Sequence, residues 1–271
     1  METSIKVARA AQIGFAVGLF GLGLTSLIAG TFAMQWQPTP PWVPIQVSYL
    51  SNALLILAGV GLLFSKTKRW AAILTPAMFA VWLLALKVPE TVALFGKINE
   101  FVSWVGFLTP FSEEVAMLGG ALVLYGLIQD RSDLTRWNST WGIGRILFGL
   151  ACVQFGASHY GFADFTAGMI PHWIPARLPL AYITGTGHLC AGLAILAGPF
   201  LPKVWRLAAG LEATMMWIFV ILVHIPMILA NNPKMIQLSW TLIFIATLLA
   251  SSALAITAQA CRKVEEDKAA I

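Results

Sequence analysis

One histidine stands where no solvent can be expected. His188 lies inside Gly185-Thr186-Gly187-His188-Leu189-Cys190-Ala191-Gly192, in the middle of an apolar run. An ionisable side chain in hydrocarbon is costly, so it needs a partner or a purpose. Imidazole takes up or releases a proton near neutral pH, and a single interhelical hydrogen bond among small residues is the structural alternative. His224 lies near the end of another apolar run, and Glu113 and Glu114 lie early in a third. Neighbouring carboxylates on a helix point about 100° apart. One of the two is therefore expected to face the bundle, and the other to reach water or Lys87. His188, His224, Glu113 and Glu114 are the candidates for proton transfer. Lys87, Glu90, His159, Asp164, His172 and Trp173 gather at the same end of the apolar segments and are the candidates for contacting a substrate.

Other polar groups read more plainly. Glu212 is expected to pair with Arg145, and Cys152 and Cys190 to pack as small apolar residues. With Cys261 they make three cysteines without a Cys-x-x-Cys pair, which gives thiol–disulfide chemistry little support. His159, His172 and His224 are close enough in level to bind a metal with Asp164, but their spacing matches no short ligand motif, and no metal site is assigned. His188 falls about 15 Å and His224 about 28 Å from the same end of their helices, a mismatch that argues against one haem iron between them.

These groups must be positioned by elements that live in a bilayer. The 271 residues are 58% hydrophobic and 11% charged, with a mean hydropathy of +0.79, whereas soluble domains carry about 25% charged residues. Apolar stretches of about 20 residues mean spanning helices rather than barrel strands. Eight are expected near 11–33, 45–64, 69–88, 108–129, 142–160, 178–198, 205–229 and 236–258. The first, behind Lys6 and Arg9, reads as a retained span rather than a cleaved leader. Lys and Arg divide 13 to 4 between the two sets of loops, so the richer side, with both termini, is expected to be cytoplasmic. Nucleic acid is not implied, because these positive residues sit in short interhelical loops. Trp36, Trp42 and Trp173 are expected at the outer membrane boundary, and Trp70, Trp137, Trp141 and Trp205 at the inner one. Between Gly161 and Leu178 lies an apolar, Pro-interrupted stretch too short to span. It suits a lid over the outer mouth of the bundle or a short interfacial connection.

The chain also says nearly the same thing twice. Pro41-Trp42-Val43-Pro44, Tyr49-Leu50-Ser51 and Ala58-Gly59 are answered by His172-Trp173-Ile174-Pro175, Tyr182-Ile183-Thr184 and Ala191-Gly192; Lys87-Val88-Pro89 is answered by His224-Ile225-Pro226. An internal duplication at about half the chain length is expected. It gives an all-α membrane protein with four-helix repeats over 1–130 and 141–260, a cytoplasmic linker at 131–140 and a charged, frayed tail at 261–271. Both copies enter from the same side, which makes them parallel repeats.

The second copy resembles the DoxX family of bacterial membrane proteins through Phe155-Gly156-Ala157-Ser158-His159, Phe165-Thr166-Ala167-Gly168-Met169-Ile170-Pro171, Trp173-Ile174-Pro175, Thr184-Gly185 with His188, and Ala191-Gly192-Leu193. The first copy is similar more weakly, through Pro41-Trp42-Val43-Pro44, Ala58-Gly59 and Leu118-Gly119-Gly120. Family members usually carry Glu where this chain has His188. The resemblance implies a bacterial inner-membrane protein associated with quinone or sulfur-compound oxidoreductases, with a bound quinone as cofactor and an oxidoreductase as partner protein. The four-helix unit is also similar to a wider group that includes sterol isomerases. Three functions stand as expectations: redox service to a quinone or other lipophilic molecule, redox-free acid–base catalysis on a hydrophobic substrate, and non-catalytic transport or scaffolding. Whether the chain is an enzyme stays open at this point.

Overall fold

A computed structural model describes residues 2–32, 43–136, 139–230, 232 and 235–269. Among these the chain is helical, with no strand. The helices are α1 (Glu2–Ala29), α2 (Ile45–Leu63), α3 (Lys68–Leu94), α4 (Phe101–Ile128), α5 (Thr140–Gly161), α6 (Ala163–Met169), α7 (Arg177–Leu196), α8 (Pro202–Leu229) and α9 (Ile236–Ala269). Seven are long and apolar enough to cross a membrane, and α5 with α6 makes an eighth candidate broken by a 94° bend. Trp36, Trp42, Trp137 and Lys234 lie outside the described residues.

Each packed helix pair among α1–α4 has a counterpart among α5–α9. The first helix of each quartet barely touches its own fourth helix and packs instead on the other quartet's: α1 on α9, α5 on α4. Helices α4 and α9 pack on each other between them. Small residues permit this, since helices in lipid gain most from close backbone approach. A Cβ on Gly144 would lie 2.7 Å from the Gly119 carbonyl oxygen, and one on Gly120 would run into Ser252.

Two local features recur at matching places. In α3 the segment Leu83–Lys87 is a π-helical turn, and in α8 so is Val220–His224. Proline explains both. Pro89 and Pro226 come just after each turn, lack an N–H, and would clash with the carbonyl four residues back. The ladder therefore widens to five residues, with Val88 N–H bonded to the Leu83 carbonyl and Ile225 N–H to that of Val220. Likewise, Gln12 donates to the Leu62 carbonyl at the end of α2, and Arg145 to the Ile195 carbonyl at the end of α7. Both bond carbonyls in the last turn of a helix, where orphan acceptors gather.

Three expectations are corrected here. The tail is not frayed: α9 runs 34 residues to Ala269, about 51 Å at helical rise, well beyond a hydrocarbon core of about 30 Å. Its extension is tied down, because Arg262 meets Asp130 at 2.7 Å, Thr135 donates to Glu266 at 2.8 Å, and Ser4 Oγ donates to Glu265 at 2.7 Å. The N-terminal helix start, the mid-chain linker and the C-terminal helix thus meet at one end. Trp141 and Trp205 are buried packing residues rather than interfacial anchors, whereas Trp70 and Trp173 are exposed. Trp141 donates to Asp133 at 3.0 Å, and Trp205 lies under the Arg145 guanidinium at 5.3 Å. Finally, Cys190 is exposed rather than packed.

Candidate functional site

The bend between α5 and α6 creates the roof of a cavity. Phe162 ends α5, and its ring rests where Gly106 of α4 has no side chain; a Cβ there would sit 2.7 Å from Phe162 Cζ. Helix α6 then turns back, and Phe165, Thr166, Met169 and Ile170 face a space of about 670 Å³. That volume falls within the range of small-molecule sites. The stretch between Gly161 and Leu178 therefore turns back after α5, with a short helix over Ala163–Met169 and a loop beyond it.

Helices α4, α5, α7, α8 and α9 form the walls. Most lining residues are apolar, among them Phe155, Met216, Phe219, Val223, Leu242 and Leu249. Polar groups enter at few points: Glu113 and Thr109 from α4, Ser158 and His159 from α5, Thr184 and His188 from α7, and His224 from the π-turn of α8. The π-turn matters to the last of these, since an extra residue in the turn rotates the side chains at its C-terminal end.

The histidines are held from behind. His159 Nδ1 lies 3.2 Å from the Ala181 carbonyl oxygen and 3.0 Å from Thr184 Oγ1. It comes this close to α7 because residue 185 is glycine: a Cβ at Gly185 would stand 2.7 Å from His159 Cβ. Its ring meets that of His188 edge-on at 5.0 Å and stacks on Phe219 at 6.3 Å. His188 Nδ1 lies 2.7 Å from Glu212 Oε1, and Cys152 Sγ donates to the same oxygen at 3.6 Å. Glu212 thus pairs with His188. Arg145 points the other way, toward the Ile195 and Leu196 carbonyls and the Trp205 ring. The expected Glu212–Arg145 pair does not form.

Of the ten sequence candidates, the cavity gathers Glu113, His159, His188 and His224. The other six lie off its wall. Glu114 is fully buried in the helix pack, on a different bearing from Glu113, as adjacent positions on a helix require. Lys87 and Glu90 pair with each other at 2.9 Å. They stand on α3, in the first quartet, whereas the cavity draws on α3 for no residue. Asp164, His172 and Trp173 are exposed: Asp164 sits on the outward face of α6, and the other two lie in the loop beyond it.

Glu212, Thr109, Ser158, Thr184 and Phe219 were not singled out from the sequence as site residues. A signal for Glu212 did exist, since a second ionisable group within a span is a natural partner for the first. Among the described residues, Glu113 Oε2, His224 Nδ1 and Glu212 Oε2 are buried without a hydrogen-bond partner. No group of three His, Cys, Asp or Glu side chains among them is arranged to hold a metal ion. Searches against family models, curated proteins and solved structures find no match to this chain.

Proposed function

We propose that this chain is a DoxX-like protein of the bacterial inner membrane whose cavity binds a quinone or another lipophilic molecule bearing polar oxygens. Its quartets would be parallel repeats with both termini in the cytoplasm. Glu113, His188 and His224 would hydrogen-bond the ligand's oxygens and exchange protons with them, and an oxidoreductase partner would supply or take the electrons.

One observation carries this reading. Glu113 and His224, from different helices, line one greasy, roofed cavity, and each holds a buried polar atom without a protein partner. Buried polar groups are normally bonded, and leaving one unmade costs about 1–3 kcal/mol. A ligand with oxygens at the right places would recover that cost. Its apolar body would fill the rest, against Phe155, Phe219 and the α6 side chains.

The test is mass spectrometry of lipids extracted from protein purified in mild detergent. A quinone or other oxygen-bearing lipophile should be retained in stoichiometric amount, and should be lost from a variant with both Glu113→Leu and His224→Leu. Purified protein with only bulk phospholipid, and no quinone-dependent turnover after reconstitution, would defeat the proposal.

The hydrogen-bonded His188–Glu212 pair, with Glu113 on the same cavity, favours a second reading: acid–base catalysis without electron transfer, such as isomerisation of a hydrophobic substrate. Turnover of such a substrate without any electron acceptor, abolished in His188→Ala, would select it over the first.

A further inference from the structure

His188 and Glu212 are 3% and 1% exposed, and both stand within spanning helices. A lone charge there is expensive. A carboxylate beside a neutral imidazole would leave one negative charge uncompensated. The groups facing the pair do not provide a cation: from α5 come His159, Phe155 and the Cys152 thiol, and from α8 comes Phe219. Arg145, further along α5, is committed to the Ile195 and Leu196 carbonyls. Glu113 and His224 reach the same cavity from α4 and α8, and neither offers a fixed positive charge.

Neutrality requires one proton shared across the 2.7 Å contact between Nδ1 and Oε1. The pair is then either imidazolium with carboxylate or imidazole with carboxylic acid. In the first, both ring nitrogens carry hydrogen. In the second, the acid O–H donates to a bare Nδ1, so the ring hydrogen sits on Nε2. Both arrangements leave Nε2–H on the side of the ring away from Glu212.

We propose that His188 and Glu212 work as one net-neutral unit that holds a shared proton and fixes Nε2–H as a hydrogen-bond donor on the cavity wall. The bound molecule therefore meets His188 with an acceptor oxygen of the carbonyl type. Glu212 is a positioning residue that acts through His188. The inference rests on the cavity being a site for lipophilic molecules, and it narrows which of them fit.

The experiment is NMR of the full-length protein in nanodiscs with ¹⁵N-labelled histidine, assigned with His188→Gln. His188 should show an Nε2–H and a far-downfield proton in the Nδ1–Oε1 bond. Glu212→Gln should remove the downfield proton while helicity and the other histidine signals stay. Benzophenone, a lipophilic ketone, should move the Nε2–H resonance; diphenylmethane, the same skeleton without the carbonyl, should not. A bare Nε2 in the parent protein, a downfield proton that survives Glu212→Gln, or equal responses to the two probes would overturn the inference. If Glu212→Gln does not fold, the parent spectrum and the probe pair still decide. Protein that binds neither probe yet shows the shared proton supports the pair and overturns the reading of the cavity.

Discussion

At the scale of single residues, polar atoms without protein partners separate stability from function. Glu113 Oε2 and His224 Nδ1 are desolvated with nothing in the protein to bond. Replacing either by an apolar side chain of similar size removes that cost. Glu113→Leu and His224→Leu should therefore leave thermal stability unchanged or raise it by about 1 kcal/mol. The same changes should weaken retention of the co-purifying molecule at least about tenfold, the equivalent of one hydrogen bond at roughly 1.4 kcal/mol. Thermal unfolding and lipid extraction on the same preparations check both halves. A large loss of stability with full retention would assign these groups to the fold rather than the site.

At the scale of elements, the π-turn of α8 and the α5–α6 bend set what the cavity receives. Pro226 obliges the ladder to widen at Val220–His224. Pro226→Ala lets the helix close to its ordinary register, which turns His224 away from the cavity. Stability should rise, because an interior proline costs about 3 kcal/mol, while ligand retention falls; paired melting and retention measurements read this out. Pro89→Ala in α3 is the control. It relaxes the turn that carries Lys87, which lies off the cavity wall but interacts with Glu113, and should reduce retention less than Pro226→Ala. The roof makes a kinetic statement. Phe162 rests over Gly106, so Phe162→Ala loosens the hinge between α5 and α6. Release of a bound fluorescent lipophile should accelerate several-fold, and stopped-flow displacement would show it. An unchanged release rate would mean that the ligand leaves by another route.

At the scale of the whole molecule, one end of the bundle is a polar clamp joining the linker to α5 and α9. Asp133 accepts from Trp141 and meets Arg131 at 3.4 Å. The Trp141 hydrogen bond, with Arg131 beside it, holds the Asp133 carboxyl below its usual range. A carboxyl lowered by folding stabilises above its unfolded value and loses that contribution as pH falls through its folded value. Acidification below about pH 4 should therefore loosen the linker in the parent protein. Asp133→Asn should remove this acid dependence and be slightly less stable at neutral pH. Trp141 fluorescence during pH titration and melting reports both.

Sequence was enough for the spanning helices, because they arise from run length, whereas it left the Pro-interrupted segment after the fifth span open between a lid and an interfacial connection. It also marked His188 as a buried ionisable group, since depth in an apolar run is a one-dimensional property. Tertiary structure alone decided the partners. Glu212 bonds His188 rather than Arg145 because the bearings of α5, α7 and α8 about their axes bring the two side chains together. Lys87 and Glu90 share a level with the other candidates yet fall outside the cavity, because level along the membrane normal says nothing about which quartet encloses the space. The packing of α4 on α9, with each quartet's first helix packed on the other's fourth, likewise depends on backbones meeting at Gly119, Gly120 and Gly144. Periodicity records how far along a helix a residue sits, whereas a site requires side chains from several helices to face one another, and that is fixed only when the helices pack.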